Sequence, residues 1–171
     1  TLPDLFKVAN FGSKSAEAFR KLREFQPVGP LMCGEFWNGW FDHWGASHHQ
    51  RDPEEAAREL DAMLAAGASV SFYMFHGGTN FGFMAGANYD GTTFRPDVTS
   101  YDYGAPLNEA GDPTAKYTAF RNVIRKYAPV PDIPLPAPAP RRAFGALELK
   151  EAATLLPQVE RLSKPVRSPT P

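Results

Sequence analysis

Cysteine is nearly absent from this 171-residue chain, and the single one, Cys33, excludes an internal disulfide and any cysteine-based zinc cluster. It also leaves the redox compartment unset. Long apolar runs are missing too: no stretch reaches the roughly 18 residues that crossing a bilayer as a helix requires. Neither sign of charge dominates, since 18 Lys and Arg face 19 Asp and Glu for a formal net of -1. That balance draws in neither nucleic acid nor an anionic membrane. The densest basic group, residues 121–126, falls at the end of a predicted helix, where it complements the helix dipole. The N-terminal Thr1-Leu2-Pro3-Asp4 has no initiator Met and no basic-then-apolar leader, so the expectation is the interior of a longer chain.

What is present has a βα rhythm. Residues 5–11 read as a strand, followed by a helical stretch with Ala18, Leu22 and Phe25 on one face, halted by Pro27. An apolar run over residues 30–36 predicts a second strand. Asp52-Pro53-Glu54-Glu55 combines an N-cap, a proline at the first helical position and first-turn acids. The helix it opens keeps Ala56, Leu60, Met63 and Leu64 together and stops at Gly67. Residues 69–75 are continuously apolar, as parallel strands covered on both faces tend to be. A Gly-rich loop from His76 then runs irregularly to about Leu107, and Asp112-Pro113 predicts a third helix with Tyr117, Phe120, Val123 and Ile124 as its apolar face. The order β-α-β-α-β-α argues a parallel sheet with functional loops at the C-terminal strand ends. Three such units suit part of a closed barrel or one half of a doubly wound sheet, and the pattern does not choose between them.

Composition changes at Pro129. Residues 129–140 are proline-rich and predict a stiff, extended linker. Residues 141–171 hold one short strand candidate, 146–149, then a short helix, too little to bury a core alone. The expected organisation is therefore a domain over 1–128, a linker over 129–140 and the start of a further domain over 141–171.

Glu35 is the residue with the clearest chemical promise. It ends the run Pro30-Leu31-Met32-Cys33-Gly34-Glu35, and all three tryptophans of the chain follow within nine residues, as Trp37, Trp40 and Trp44. Aromatic faces can lie against the C–H faces of a sugar ring, and a strand-end carboxylate can act as nucleophile or proton carrier. A structural ion pair is the other reading, and position alone leaves both open. Cys33, two residues earlier, shares a strand face with Glu35 by simple alternation and reads as a small core residue rather than a nucleophile.

The remaining candidates are weaker. His43, His48 and His49 match no helical metal-ligand spacing and read as loop histidines. The Gly77-Gly78 loop fits no phosphate-binding pattern, and no Lys or Arg lies between Asp61 and Phe94. His76-Gly77-Gly78 is not accompanied by a Gly-x-Ser-x-Gly elbow, which excludes a lipase-like site. In Tyr101-Asp102-Tyr103 the phenols could bond sugar hydroxyls, or cover an apolar edge while Asp102 caps local backbone.

Three long stretches resemble the β-galactosidases of glycoside hydrolase family 35. They are Gly29-Pro30 through Trp44-Gly45; Phe72-Tyr73-Met74-Phe75-His76-Gly77-Gly78-Thr79-Asn80-Phe81-Gly82 with Gly86-Ala87-Asn88; and Thr99-Ser100-Tyr101-Asp102-Tyr103 through Ala110-Gly111. The resemblance covers about residues 5–127. It implies the C-terminal half of a (β/α)8 TIM barrel, followed by the start of a β-rich domain, with Glu35 as nucleophile of a retaining mechanism at the end of the seventh strand. It further implies that Tyr103 contacts the bound galactose, that Trp40 packs near the sugar, and that the substrate is a β-galactoside, with no metal and no organic cofactor.

The family's acid/base glutamate, preceded by Asn, lies at the end of the fourth strand, outside this sequence. Asn108-Glu109 copies the dipeptide but falls within the third stretch and is not assigned that role. Two other readings stand beside this one: a non-catalytic or sugar-binding fragment, and an exo-glycosidase acting on a related β-linked sugar such as glucosamine.

Overall fold

A computed structural model describes residues 5–80, 84–138, 140–164 and 166. The Thr1-Leu2-Pro3-Asp4 terminus and the Phe81-Gly82 end of the Gly-rich loop lie outside the described residues. Two compact units result, Thr1–Ala139 and Pro140–Pro171.

In the first unit, β1 (Ala9–Phe11), β2 (Met32–Trp37) and β3 (Ser69–Tyr73) form a parallel sheet in sequential order. Helices α1 (Ser15–Phe25), α2 (Pro53–Ala65) and α3 (Ala115–Ile124) pack side by side, α1 on α2 and α2 on α3. Cys33, Phe36, Leu60, Met63 and Phe120 meet between sheet and helices and are all but fully buried. Phe36, Phe72 and Phe120 form the aromatic centre, with ring centroids 5.3–6.2 Å apart. Such contacts add to area burial because the ring quadrupoles favour tilted and offset geometries.

Local signals account for α2. Asp52 Oδ1 accepts from Glu55 N at 2.7 Å, Pro53 opens the helix, and Gly67 at φ 72 ends it. Elsewhere the structure corrects the sequence reading. The first strand covers only Ala9–Phe11. In α1 the buried positions are Ser15, Phe19 and Leu22, while Phe25 is 76% exposed in the last turn. Helix α3 starts at Ala115 after Thr114, not at Asp112-Pro113. Asp112 is engaged elsewhere: Asn108 N donates to its carbonyl at 2.9 Å, and its own N–H donates to Asn108 Oδ1 at 2.9 Å. Thr114 N bonds Pro106 O, so this stretch lies along residues 106–107 before the helix can begin.

Residues 84–107 are not irregular throughout. They contain an antiparallel hairpin, β4 (Ala87–Tyr89) and β5 (Phe94–Pro96). Asp90 closes its turn, accepting from Thr92 N, Thr92 Oγ1 and Thr93 N, and these bonds hold its carboxyl down at about 2.

In the second unit, residues 146–149 form no strand, and the described structure is a 3-10 turn (Leu156–Gln158) running into α4 (Val159–Leu162). Backbone pairing needs a neighbouring strand, and none stands beside 146–149 among the described residues.

Among the described residues the outer edges of β1 and β3 are unpaired. Open edges recruit other strands. The 171-residue chain by itself should therefore associate with increasing concentration in light scattering. A monomer with a sharp, concentration-independent melt would contradict this.

Candidate functional site

Strand β2 carries one extra residue in its register against each neighbour. Cys33 pairs with Ala9 and Glu35 with Asn10, while Cys33 and Phe36 pair with Val70 and Phe72. This bulge breaks the alternation expected of a strand. Cys33 and Phe36, three residues apart, both enter the core, so Glu35 does not share Cys33's face. Burial pushes the Cys33 thiol up to about 11 and makes it a poor nucleophile.

Glu35 makes no ion pair among the described residues. Its Oε2 accepts from the indole Nε1 of Trp37 at 2.9 Å, a donor that sequence reasoning missed although it stands only two residues along. Around it lies a continuous aromatic wall. Trp37 meets Trp40 edge-on at 6.0 Å, Trp40 lies 6.3 Å from Tyr103, and Tyr103 meets Tyr73 edge-on at 5.6 Å. Phe41 stacks on both Trp40 and Tyr101. Of the residues singled out from sequence, Glu35, Trp40 and Tyr103 are thus brought to one place, and Tyr73 joins them unforeseen.

The phenols are kept neutral. Burial raises Tyr103 well above the ordinary tyrosine range, and the neighbouring Tyr73 and the Glu35 charge push the same way. Tyr101 is raised by burial and by its 3.3 Å hydrogen bond with Tyr73. Protonated phenols remain able to donate. Asp102, between them, faces the backbone: it accepts from Gly104 N at 3.2 Å and from Glu109 N at 3.0 Å. Glu109 is also engaged, accepting from Thr79 Oγ1 at 2.5 Å and Ser100 Oγ at 2.7 Å, which lower its carboxyl.

The histidines serve the loops. His48 and His49 both bond Asp42, whose carboxyl ends below its usual value because these bonds outweigh the effect of burial. His43 bonds Asn88 at 2.7 Å and so ties the hairpin to the aromatic loop. No group of His, Cys, Asp and Glu able to hold a metal ion occurs among the described residues.

Two glycines let residues 101–103 lie this close. A Cβ on Gly39 would stand 1.7 Å from Tyr103 O, and one on Gly77 would stand 1.7 Å from Tyr101 O. Trp40 N donates to Tyr103 O at 3.1 Å across the same contact. Gly39→Ala should accordingly displace Tyr103, lower stability by about 1–3 kcal/mol and alter the near-ultraviolet circular dichroism of the aromatic wall. Gly45→Ala meets no atom within 4 Å but sits at φ 79, so it should lower stability through local backbone strain while leaving that spectrum unchanged.

Comparison with known proteins places this geometry in a family. The model of glycosyl hydrolases family 35 matches residues 1–127. The chain is 47% identical over 158 residues to the beta-galactosidase-1-like protein of Mus musculus, covering 91% of this chain and 24% of that protein. It is 43% identical over 175 residues to a beta-galactosidase of Xanthomonas manihotis, covering 100% of this chain and 29% of that one. With the beta-galactosidase of Homo sapiens the identity is 45% over 156 residues, covering 90% and 23%. The chain spans about a quarter of the length of these relatives. On that match, and with the TIM-barrel catalytic domain that the family implies, the chain belongs to glycosyl hydrolases family 35.

Proposed function

We propose that the protein carrying this chain hydrolyses terminal non-reducing β-D-galactose residues from β-galactosides, with retention of anomeric configuration. The observation that carries the reading is Glu35: a carboxylate at the C-terminal end of a parallel strand, held by the Trp37 indole beside Trp40 and Tyr103, in a chain of this family. The relatives named beta-galactosidase supply the substrate class. The chain is then the C-terminal half of the barrel, followed by the start of a β-rich domain.

In this mechanism a Glu35 oxygen attacks the anomeric carbon as the glycosidic C–O bond breaks, giving a covalent galactosyl-enzyme. A second carboxyl group about 5–5.5 Å away, from another part of the barrel, protonates the departing oxygen. The same group then takes a proton from water, whose oxygen attacks the anomeric carbon and releases Glu35. Tyr103, as a neutral phenol, offers a hydrogen bond to a sugar hydroxyl, and Trp40 supplies an apolar face beside the ring. Glu109 is not the acid, since both its oxygens are committed to hydroxyls.

Glu35→Gln in the full-length protein keeps shape but removes the attacking charge. kcat should fall by several orders of magnitude. Azide added to Glu35→Gly should restore turnover and give the α-galactosyl azide, because the anion enters from the nucleophile's face. The β-azide would make Glu35 the acid/base instead, and near wild-type activity in Glu35→Gln would remove it from the chemistry.

The 171-residue chain alone should not turn over lactose, having no acid for the leaving group. Multiple-turnover lactose hydrolysis by the purified chain would sink that expectation.

A further inference from the structure

We infer that Lys116 is a positioning residue for the reaction proposed above, its amine tying the end of the strand that bears Glu35 to the segment that bears Tyr103. The inference rests on that reading of Glu35. Lys116 stands in the first turn of α3 and is 3% exposed. Its Nζ donates to Asn38 O at 2.6 Å and to Gly104 O at 2.5 Å. Asn38 directly follows Trp37, the donor to Glu35, and Gly104 directly follows Tyr103. Asn38 is itself fully buried, and its Nδ2 donates to Met74 O at 3.0 Å, beyond the end of β3. One amine thus fixes the spacing of carboxylate and phenol.

A surface lysine turns its amine to water along an apolar stem. This one points inward to two peptide carbonyls, and charge-assisted bonds of that kind are stronger than neutral ones. Among the described residues no carboxylate forms an ion pair with it. The charged and titratable groups around it are Arg51, Asp52 and Glu55 from the α2 side and Asp102 from the tyrosine segment. His48 and His49 line the same cavity, of about 240 Å³.

Burial, then Arg51, draws the Lys116 amine down to about 8, with Asp102, Asp52 and Glu55 opposing. Its folded value lies below the unfolded one of about 10.4. Between the two, the unfolded chain binds more protons, so this group's contribution to stability rises with pH. Over that same interval the charged tie is lost. Catalysis and stability should then respond to alkali in opposite directions.

The test compares kcat and KM for an aryl β-galactoside from about pH 6 to 10, using full-length wild type, Lys116→Met, Lys116→Arg and Glu35→Gln. Lys116→Met should lower kcat at least tenfold below pH 7, with a smaller change in KM. The wild-type advantage should shrink several-fold by pH 9.5 as wild type loses its own charge. Lys116→Arg keeps a charge throughout this range, so its rate relative to wild type should rise with pH.

Rate ratios independent of pH in both variants overturn the inference. If Lys116→Met does not fold, Lys116→Arg decides. If neither folds, wild type does: an alkaline step that moves to lower pH on warming, as amine ionisations do, supports the tie, and its absence overturns it. Near wild-type activity in Glu35→Gln sinks the reading of Glu35 and the tie with it. An inactive Glu35→Gln with pH-flat lysine ratios sinks the tie alone.

Discussion

The extra residue in β2 is the constraint from which the site follows. Strict alternation would place Glu35 on the face of Cys33, inside a core sealed by three helices. A carboxylate there would lose its hydration with no partner to replace it. The bulge instead lets Cys33 and Phe36 fill the core while Glu35 is free to meet the Trp37 indole. Gly34 occupies the bulge for a steric reason: a Cβ would lie 2.5 Å from Val8 Cγ2 and 2.8 Å from Asn10 Oδ1. One crowded backbone position decides which way the carboxylate faces.

The mouth above β2 and β3 is also sorted electrostatically. Asp102 and Glu109 both lie near it, yet each is occupied by backbone N–H groups or hydroxyls. The phenols stay protonated. Glu35 is left as an acceptor held by the Trp37 indole, beside the aromatic wall.

Where a signal was local, the sequence was readable. Asp52, Pro53 and Gly67 delimit α2 because capping and backbone chirality act within a few residues. The same Asp-Pro pair at 112–113 misleads because Asn108 engages Asp112 in a turn, a contact that spacing alone does not reveal. The hairpin carried its own sign in Asp90-Gly91 between Tyr89 and Phe94. Its strands are three residues long and exposed, so no alternation marked them. Glu35, Trp40 and Tyr103 could be picked out from their motifs. Lys116 could not, since a lysine in the first turn of a helix looks like any solvated one until Asn38 and Gly104 are placed against it.

The contact between Lys116 and Asn38 joins residues 78 apart in the chain. Pairings of such separation are among the slow ones, because a long loop must close before they give anything back. The packing of Phe36 on Phe120 and the closure of the aromatic wall by Lys116 both need α3 docked. During synthesis, a ribosome-bound chain that has not yet released α3 therefore lacks both the amine that ties Asn38 to Gly104 and the ring that packs on Phe36.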